Sequence, residues 1–143
     1  MATDRTASAT WNGSLLEGAG TIHAAGSGAF GPLAVTWASR AEEPNGKTSP
    51  EELIAAAHAA CFAMALSHGL AQSGTPANQL DTSATVTFQP GEGIIRIALT
   101  VRGRVPGIDA DTFASKAAEA KAGCPVSKAL AAVPEITLDA ALV

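Results

Sequence analysis

Large apolar side chains are in short supply in this 143-residue chain. Tyrosine is absent, and four Phe and two Trp are the only other aromatic rings. Hydrophobic residues make up 47% of the sequence, but 32 of them are alanine. Leu, Ile, Val and Phe together number 29, close to the level at which chains stay disordered. Charge is also scarce, at 15% with a net of -4, and that argues for folding, with help from a partner surface. Nine Lys plus Arg, scattered along a chain of pI about 5.2, form no basic stripe, which argues against nucleic-acid binding.

Other features are missing too. The longest stretch with few charges, residues 53–75, is mostly alanine and is broken by His58, His68 and Gln72, so it reads as a buried helix and not as a membrane span. Residues 1–10 carry Asp4 and Arg5 with no apolar segment, so a cytoplasmic location is expected. Cysteine occurs only twice, 63 positions apart, which argues against a disulfide scaffold and leaves redox chemistry, metal ligation or burial. The length suits one domain, residues 1–143, and excludes a multidomain enzyme.

Short strands broken by glycine are expected over 6–12, 18–25 and 31–38, as a three-stranded meander. A polar loop, 40–48, follows. Ser49-Pro50-Glu51-Glu52 then has the form of a helix start, with Ser49 as N-cap, Pro50 at the first turn and Glu52 closing a capping box. The helix should run to about Gln72, with Leu53, Ala57, Ala60, Met64 and Ile54, Cys61, Ala65, His68 on adjoining rows. Alanine nearly all round suits a central helix approached from several sides.

Clean alternation predicts a hairpin of strands 80–89 and 94–105. Asp109 should cap a helix to about Lys121, Cys124-Pro125 should restart a short helix, and 135–143 alternates as a last strand. The order βββ-α-ββ-αα-β is an α+β fold with antiparallel sheets.

Cys61 sits among small apolar neighbours, the setting of an inert thiol with a raised pKa. Cys124, between Gly123 and Pro125, lies at a helix N-terminus, where unpaired N–H groups favour a thiolate. A thiol redox pair is the sharpest reading of the two. His58 lies one helical turn before Cys61, which permits a Cys-His nucleophile or half a metal site, although a packed or hydrogen-bonded histidine is the ordinary outcome. His23 reads as a strand surface residue, and Trp11 and Trp37 as core. Arg96, Arg102 and Arg104 read as a solvent face. Arg40 by itself is a solvated loop charge, and Glu51 complements a helix dipole.

The stretch Thr48-Ser49-Pro50-Glu51-Glu52-Leu53-Ile54-Ala55-Ala56-Ala57-His58-Ala59-Ala60-Cys61-Phe62-Ala63-Met64, with Cys124-Pro125-Val126-Ser127-Lys128 far downstream, resembles the OsmC/Ohr family of osmotically inducible and organic hydroperoxide resistance proteins. His58 and Val126 look like the OsmC branch. The resemblance implies a thiol-dependent peroxidase acting on organic hydroperoxides as an intertwined homodimer with a central Cys-bearing helix. It implies no bound cofactor or metal and an external dithiol or lipoyl-type reductant. It makes Cys61 the peroxidatic cysteine, Cys124 the resolving one, and Arg40 and Glu51 the accompanying charged pair.

Ten residues of helix separate Glu51 from Cys61 by roughly 15 Å, so Glu51 would act through a long arginine or across a subunit interface. Leu53, Phe62, Met64 and Phe30 are the expected apolar lining for the substrate. Two other classes compete: a metal-binding or structural protein using His58, Cys61 and Cys124, and a Cys-His hydrolase built on His58 and Cys61.

Overall fold

The computed structural model describes residues 1–143, which form two compact units, Met1–Pro50 and Glu51–Val143. In the first unit β1 (Ala9–Asn12), β2 (Ala19–Ile22) and β3 (Leu33–Val35) pair antiparallel in that order, as the expected meander. Trp11 and Val35 flank Gly20 across the sheet, and a Cβ added to Gly20 would lie 2.7 Å from the Trp11 ring and 2.9 Å from Val35. Trp11 is nevertheless 40% exposed, so it is not the core residue its strand position suggests.

The third strand is shorter than expected, because Thr36 ends it by capping a helical turn, α1 (Trp37–Ala41). The Thr36 hydroxyl accepts from the Ser39 N–H at 3.0 Å, and the Ser39 hydroxyl accepts from the Thr36 N–H at 2.9 Å. This reciprocal pair satisfies donors that a strand would have left to a neighbour. Trp37 is therefore a half-buried helix residue, and Arg40 stands in the last turn of α1 and not in a loop. The loop that follows turns at Asn45 and Gly46, both at positive φ, and Thr48 returns to β3 through its N–H to the Ala34 carbonyl at 3.0 Å.

In the second unit α2 (Pro50–Gln72) leads into β4 (Gln79–Gln89) and β5 (Gly93–Arg104), then α3 (Ala110–Gly123), α4 (Pro125–Ala129) and β6 (Glu135–Leu142). Pro50 opens α2, with Glu51 and Glu52 in its first turn, where acidic side chains complement the helix dipole. Asp109 caps α3 as the sequence indicates, its carboxylate accepting from the Thr112 N–H at 2.8 Å. That hydrogen bonding holds the Asp109 carboxyl below its ordinary range.

The sheet order is β4-β5-β6, with β4 and β5 an antiparallel hairpin that carries a bulge at Thr87/Phe88. One expectation is overturned here: β6 pairs parallel to β5, with Ile97 opposite Ile136 and Val101 opposite Ala140, so the second sheet is mixed. Residues 105–134 carry two helices, and a connection of that kind returns the chain to the starting edge and feeds a parallel strand. Arg102 reaches across this pair to Asp139 at 2.8 Å, while Arg96 and Arg104 are exposed as expected.

The core of this unit gathers Phe62, Leu66 and Leu70 of α2, Ile97, Leu99 and Val101 of β5, Phe113, Ala117 and Ala120 of α3, and Cys124. Gly103 makes room for Phe113, since a Cβ there would stand 2.5 Å from the ring. The buried stripe of α2 is His58, Phe62, Leu66, Leu70 at steps of four, not either of the rows expected around Met64 and His68. Met64 is 73% exposed, and Ala56, Ala57 and Ala60 are exposed beside it. Alanine on every side removes the contrast between faces by which sequence periodicity is read.

Candidate active site

Cys61 sits midway along α2 and is half-buried, whereas Cys124, at the junction of α3 and α4, has no exposed surface. The Cys124 backbone serves both helices: its N–H reaches the Ala120 carbonyl at 2.8 Å, and its carbonyl accepts from the Lys128 N–H at 3.0 Å. Pro125 enforces the break, because proline fits the first turn of a new helix but cannot continue an old one. The fold thus brings together two sulfurs that lie far apart in sequence, and both are free thiols.

Burial pushes the Cys61 thiol up, and its S–H directed at the Cys124 sulfur adds to the shift, against a smaller opposing contribution from the Val126 N–H. Burial also works against ionising Cys124, yet its thiol is drawn down. Hydrogen bonds from Cys61, from the Ser127 N–H and hydroxyl, and from the Val126 N–H outweigh the desolvation. Cys124 thus has the favourable local field expected of a cysteine at a helix start. Accessibility runs the other way, since only Cys61 has solvent contact.

His58, one turn before Cys61, is wholly buried, and its Nε2 lies 2.7 Å from the Ser127 hydroxyl. Burial lowers its pKa, so the imidazole is held neutral. Ser127 was not foreseen. The available signal was its place three residues after Cys124, the position from which a side chain at the start of a helix reaches back to the cap. The His58, Cys61 and Cys124 set does not form a metal-ligand cluster; no three His, Cys, Asp or Glu side chains are so arranged, and the His58 Nε2 is taken by Ser127. Nor does His58 hydrogen-bond to Cys61 as a hydrolase base would.

Of the other anticipated residues, Glu51 is buried in the first turn of α2. Arg40, in the first unit, borders a cleft of about 350 Å³ lined by Trp11, Leu15, Val35, Trp37 and Pro50. Within the second unit, Leu53, Phe62 and Met64 do not share one lining. Phe62 is fully buried in the core and so has a packing role, Leu53 is half-buried, and Met64 borders an open groove with Ala63, Ser67, Ala77 and Leu80. Phe30 belongs to the first unit, on a groove with Arg5 and Ala25.

Comparison with known proteins gives this geometry a context. Residues 43–139 match the family described as OsmC-like protein. Peroxiredoxin OsmC of Escherichia coli K12 is 46% identical over 134 residues, which cover 92% of this chain and 91% of that protein. Among solved structures, an organic hydroperoxide resistance protein OsmC from Legionella pneumophila aligns with a TM-score of 0.71 at 23% identity, covering 95% of this chain and 96% of the other. An organic hydroperoxide resistance protein from Elizabethkingia anophelis aligns with a TM-score of 0.73 at 22% identity over the whole of both chains. The structural likenesses establish the fold, and the extent of the sequence match establishes that this chain belongs to the OsmC-like protein family.

Proposed function

We propose that this chain is a thiol-dependent peroxidase that reduces organic hydroperoxides in oxidative-stress defence. The observation that carries the reading is the pairing of a half-buried Cys61 that keeps solvent contact with a fully buried Cys124. Cys61, which keeps some solvent contact, can meet a peroxide, and the enclosed Cys124 can meet only its neighbour. Cys61 attacks the O–O bond, its sulfur takes one oxygen as sulfenic acid, and the departing alkoxide leaves as an alcohol with the proton that Cys61 gave up. Cys124 then displaces the sulfenic oxygen as water and a Cys61–Cys124 disulfide forms. Two thiols and one hydroperoxide thus become a disulfide, an alcohol and water.

A thiol held high by burial must lose its proton to act, and Arg40 is the cation assigned to that task, with Glu51 orienting it; both assignments follow the family resemblance. An external dithiol or lipoyl-type reductant returns the pair to thiols, so no bound cofactor is required. The cytoplasm, where thiols are kept reduced, suits such a cycle. Residues 1–143 act as one OsmC-like domain in this reading. Mass spectrometry after one equivalent of cumene hydroperoxide should find the Cys61 and Cys124 peptides joined and two hydrogens lighter. Two intact thiols after exposure would overturn the proposal.

The working form is a homodimer. Helix α2 has the length and apolarity of a membrane span, yet only 22% of its most apolar 18-residue window is buried within the chain. Exposed Met64 and its alanine neighbours offer a surface that a second copy can approach closely. Sedimentation should give twice the 14.3 kDa chain mass. A fully active species of one chain mass at high dilution would exclude the dimer.

A further inference from the structure

Behind Cys124 lies a buried polar pair that the peroxidase cycle, as set out above, does not use. His58 has no exposed surface, Ser127 is nearly enclosed, and their 2.7 Å contact links α2 to α4. Buried polar groups on that scale cost free energy unless they are satisfied, and His58 is satisfied on one side only: its Nδ1 has no partner. A neutral imidazole has one donor and one acceptor nitrogen, and a serine hydroxyl has a single hydrogen to give. If Ser127 gave that hydrogen to His58, none would remain for the Cys124 sulfur, whose lowered pKa the same hydroxyl supports. With the proton on Nε2, His58 donates to Ser127, Ser127 donates to Cys124, and the atom left bare is the Nδ1 lone pair.

We propose that His58 and Ser127 are positioning residues for the resolving step, forming a directed hydrogen-bond chain, Nε2–H to Oγ–H to sulfur, that aims Cys124 at Cys61. The chain reaches the sulfur from α4, while the Cys61 side chain reaches it from α2, so the two approaches fix its direction. Burial keeps His58 neutral, which the scheme requires, because an imidazolium would carry a second buried N–H with no acceptor. Once Cys61 is a sulfenic acid, the Cys124 thiolate attacks its sulfur, the S–O bond breaks, and hydroxide leaves and is protonated by solvent to water. Ser127 keeps its own hydrogen throughout. Lys121, Lys128 and Asp139 line the open groove that borders Ser127, so both signs of charge stand on that side.

The inference rests on the peroxidase reading, and the test separates the two. Purified wild type, Ser127→Ala, Ser127→Thr and His58→Leu are mixed with one equivalent of cumene hydroperoxide and quenched at intervals. Sulfenic acid at Cys61 is trapped with dimedone, and the disulfide is quantified by mass spectrometry. Ser127→Ala should form sulfenic acid at least as fast as wild type but close the disulfide about tenfold more slowly, the factor one hydrogen bond to a charged acceptor is worth.

Ser127→Thr, which keeps the hydroxyl, should restore closure, and His58→Leu should slow it as Ser127→Ala does. If His58→Leu fails to fold, the two Ser127 variants decide alone. Closure at the wild-type rate in Ser127→Ala, or equal slowing in Ser127→Ala and Ser127→Thr, would overturn the relay while leaving the peroxidase reading intact. Absence of any disulfide in wild type would overturn both.

Discussion

Cys61→Ser should reduce peroxide consumption to the uncatalysed background in a dithiol-coupled assay with cumene hydroperoxide. Thiolate, not hydroxyl, is the nucleophile toward the O–O bond, and serine cannot ionise near neutral pH. No other sulfur can take over, because Cys124 is the only other cysteine and has no exposed surface. The substitution removes chemistry with little structural cost: Cys61 is half-buried and serine is close to it in size, so the stability change should stay near about 1 kcal/mol. Denaturation monitored by circular dichroism would check that the variant is folded. A folded Cys61→Ser protein that turns over hydroperoxide at the parental rate would refute the assignment of Cys61.

Much of this arrangement was legible in the sequence where local chemistry decides the structure. Pro50-Glu51-Glu52 marks the start of α2, Asp109 the start of α3, and Cys124-Pro125 the break before α4, because caps and proline act within a few residues. Alternation along β4, β5 and β6 gives the inward faces that the structure buries. What the sequence withheld depends on distant partners. Alternation is the same for parallel and antiparallel neighbours, so the direction of β6 could not be read from it. Thr36 and Ser39 hold a capping signal, but it lies in a stretch whose apolar alternation continues the strand pattern.

The same reasoning applies to the site. Cys124 at a helix start carries its own evidence for a lowered pKa, since the N–H groups of Val126 and Ser127 come with the local backbone. The partnership of His58 with Ser127 spans 69 positions and has no local signature. Phe62 was expected in the substrate lining, yet one residue along a helix from Cys61 turns the side chain by about 100°. That rotation takes Phe62 into the core, while Cys61 keeps some solvent contact.

Cys124→Ser separates the first step of the proposed cycle from the second. Without the resolving sulfur, Cys61 should stop at sulfenic acid, one oxygen heavier, after a single equivalent of hydroperoxide. Excess peroxide should carry it on to sulfinic acid, which the dithiol does not reverse. Multiple turnovers should therefore fail even though the first event survives. Its rate offers a sharper check. In the intact protein the Cys61 S–H is directed at the Cys124 sulfur, and that contact, together with the neighbouring charge, holds the Cys61 proton in place. A neutral serine hydroxyl removes the charge and weakens the contact, so sulfenylation of Cys124→Ser should be no slower than that of the parent and should extend to lower pH. Stopped-flow measurement of the first step, with intact mass as the product readout, gives both quantities. Sustained turnover at the parental rate would remove Cys124 from the cycle. A first step that is many times slower would instead make Cys124 an activator of Cys61, reversing the direction of influence between the two sulfurs.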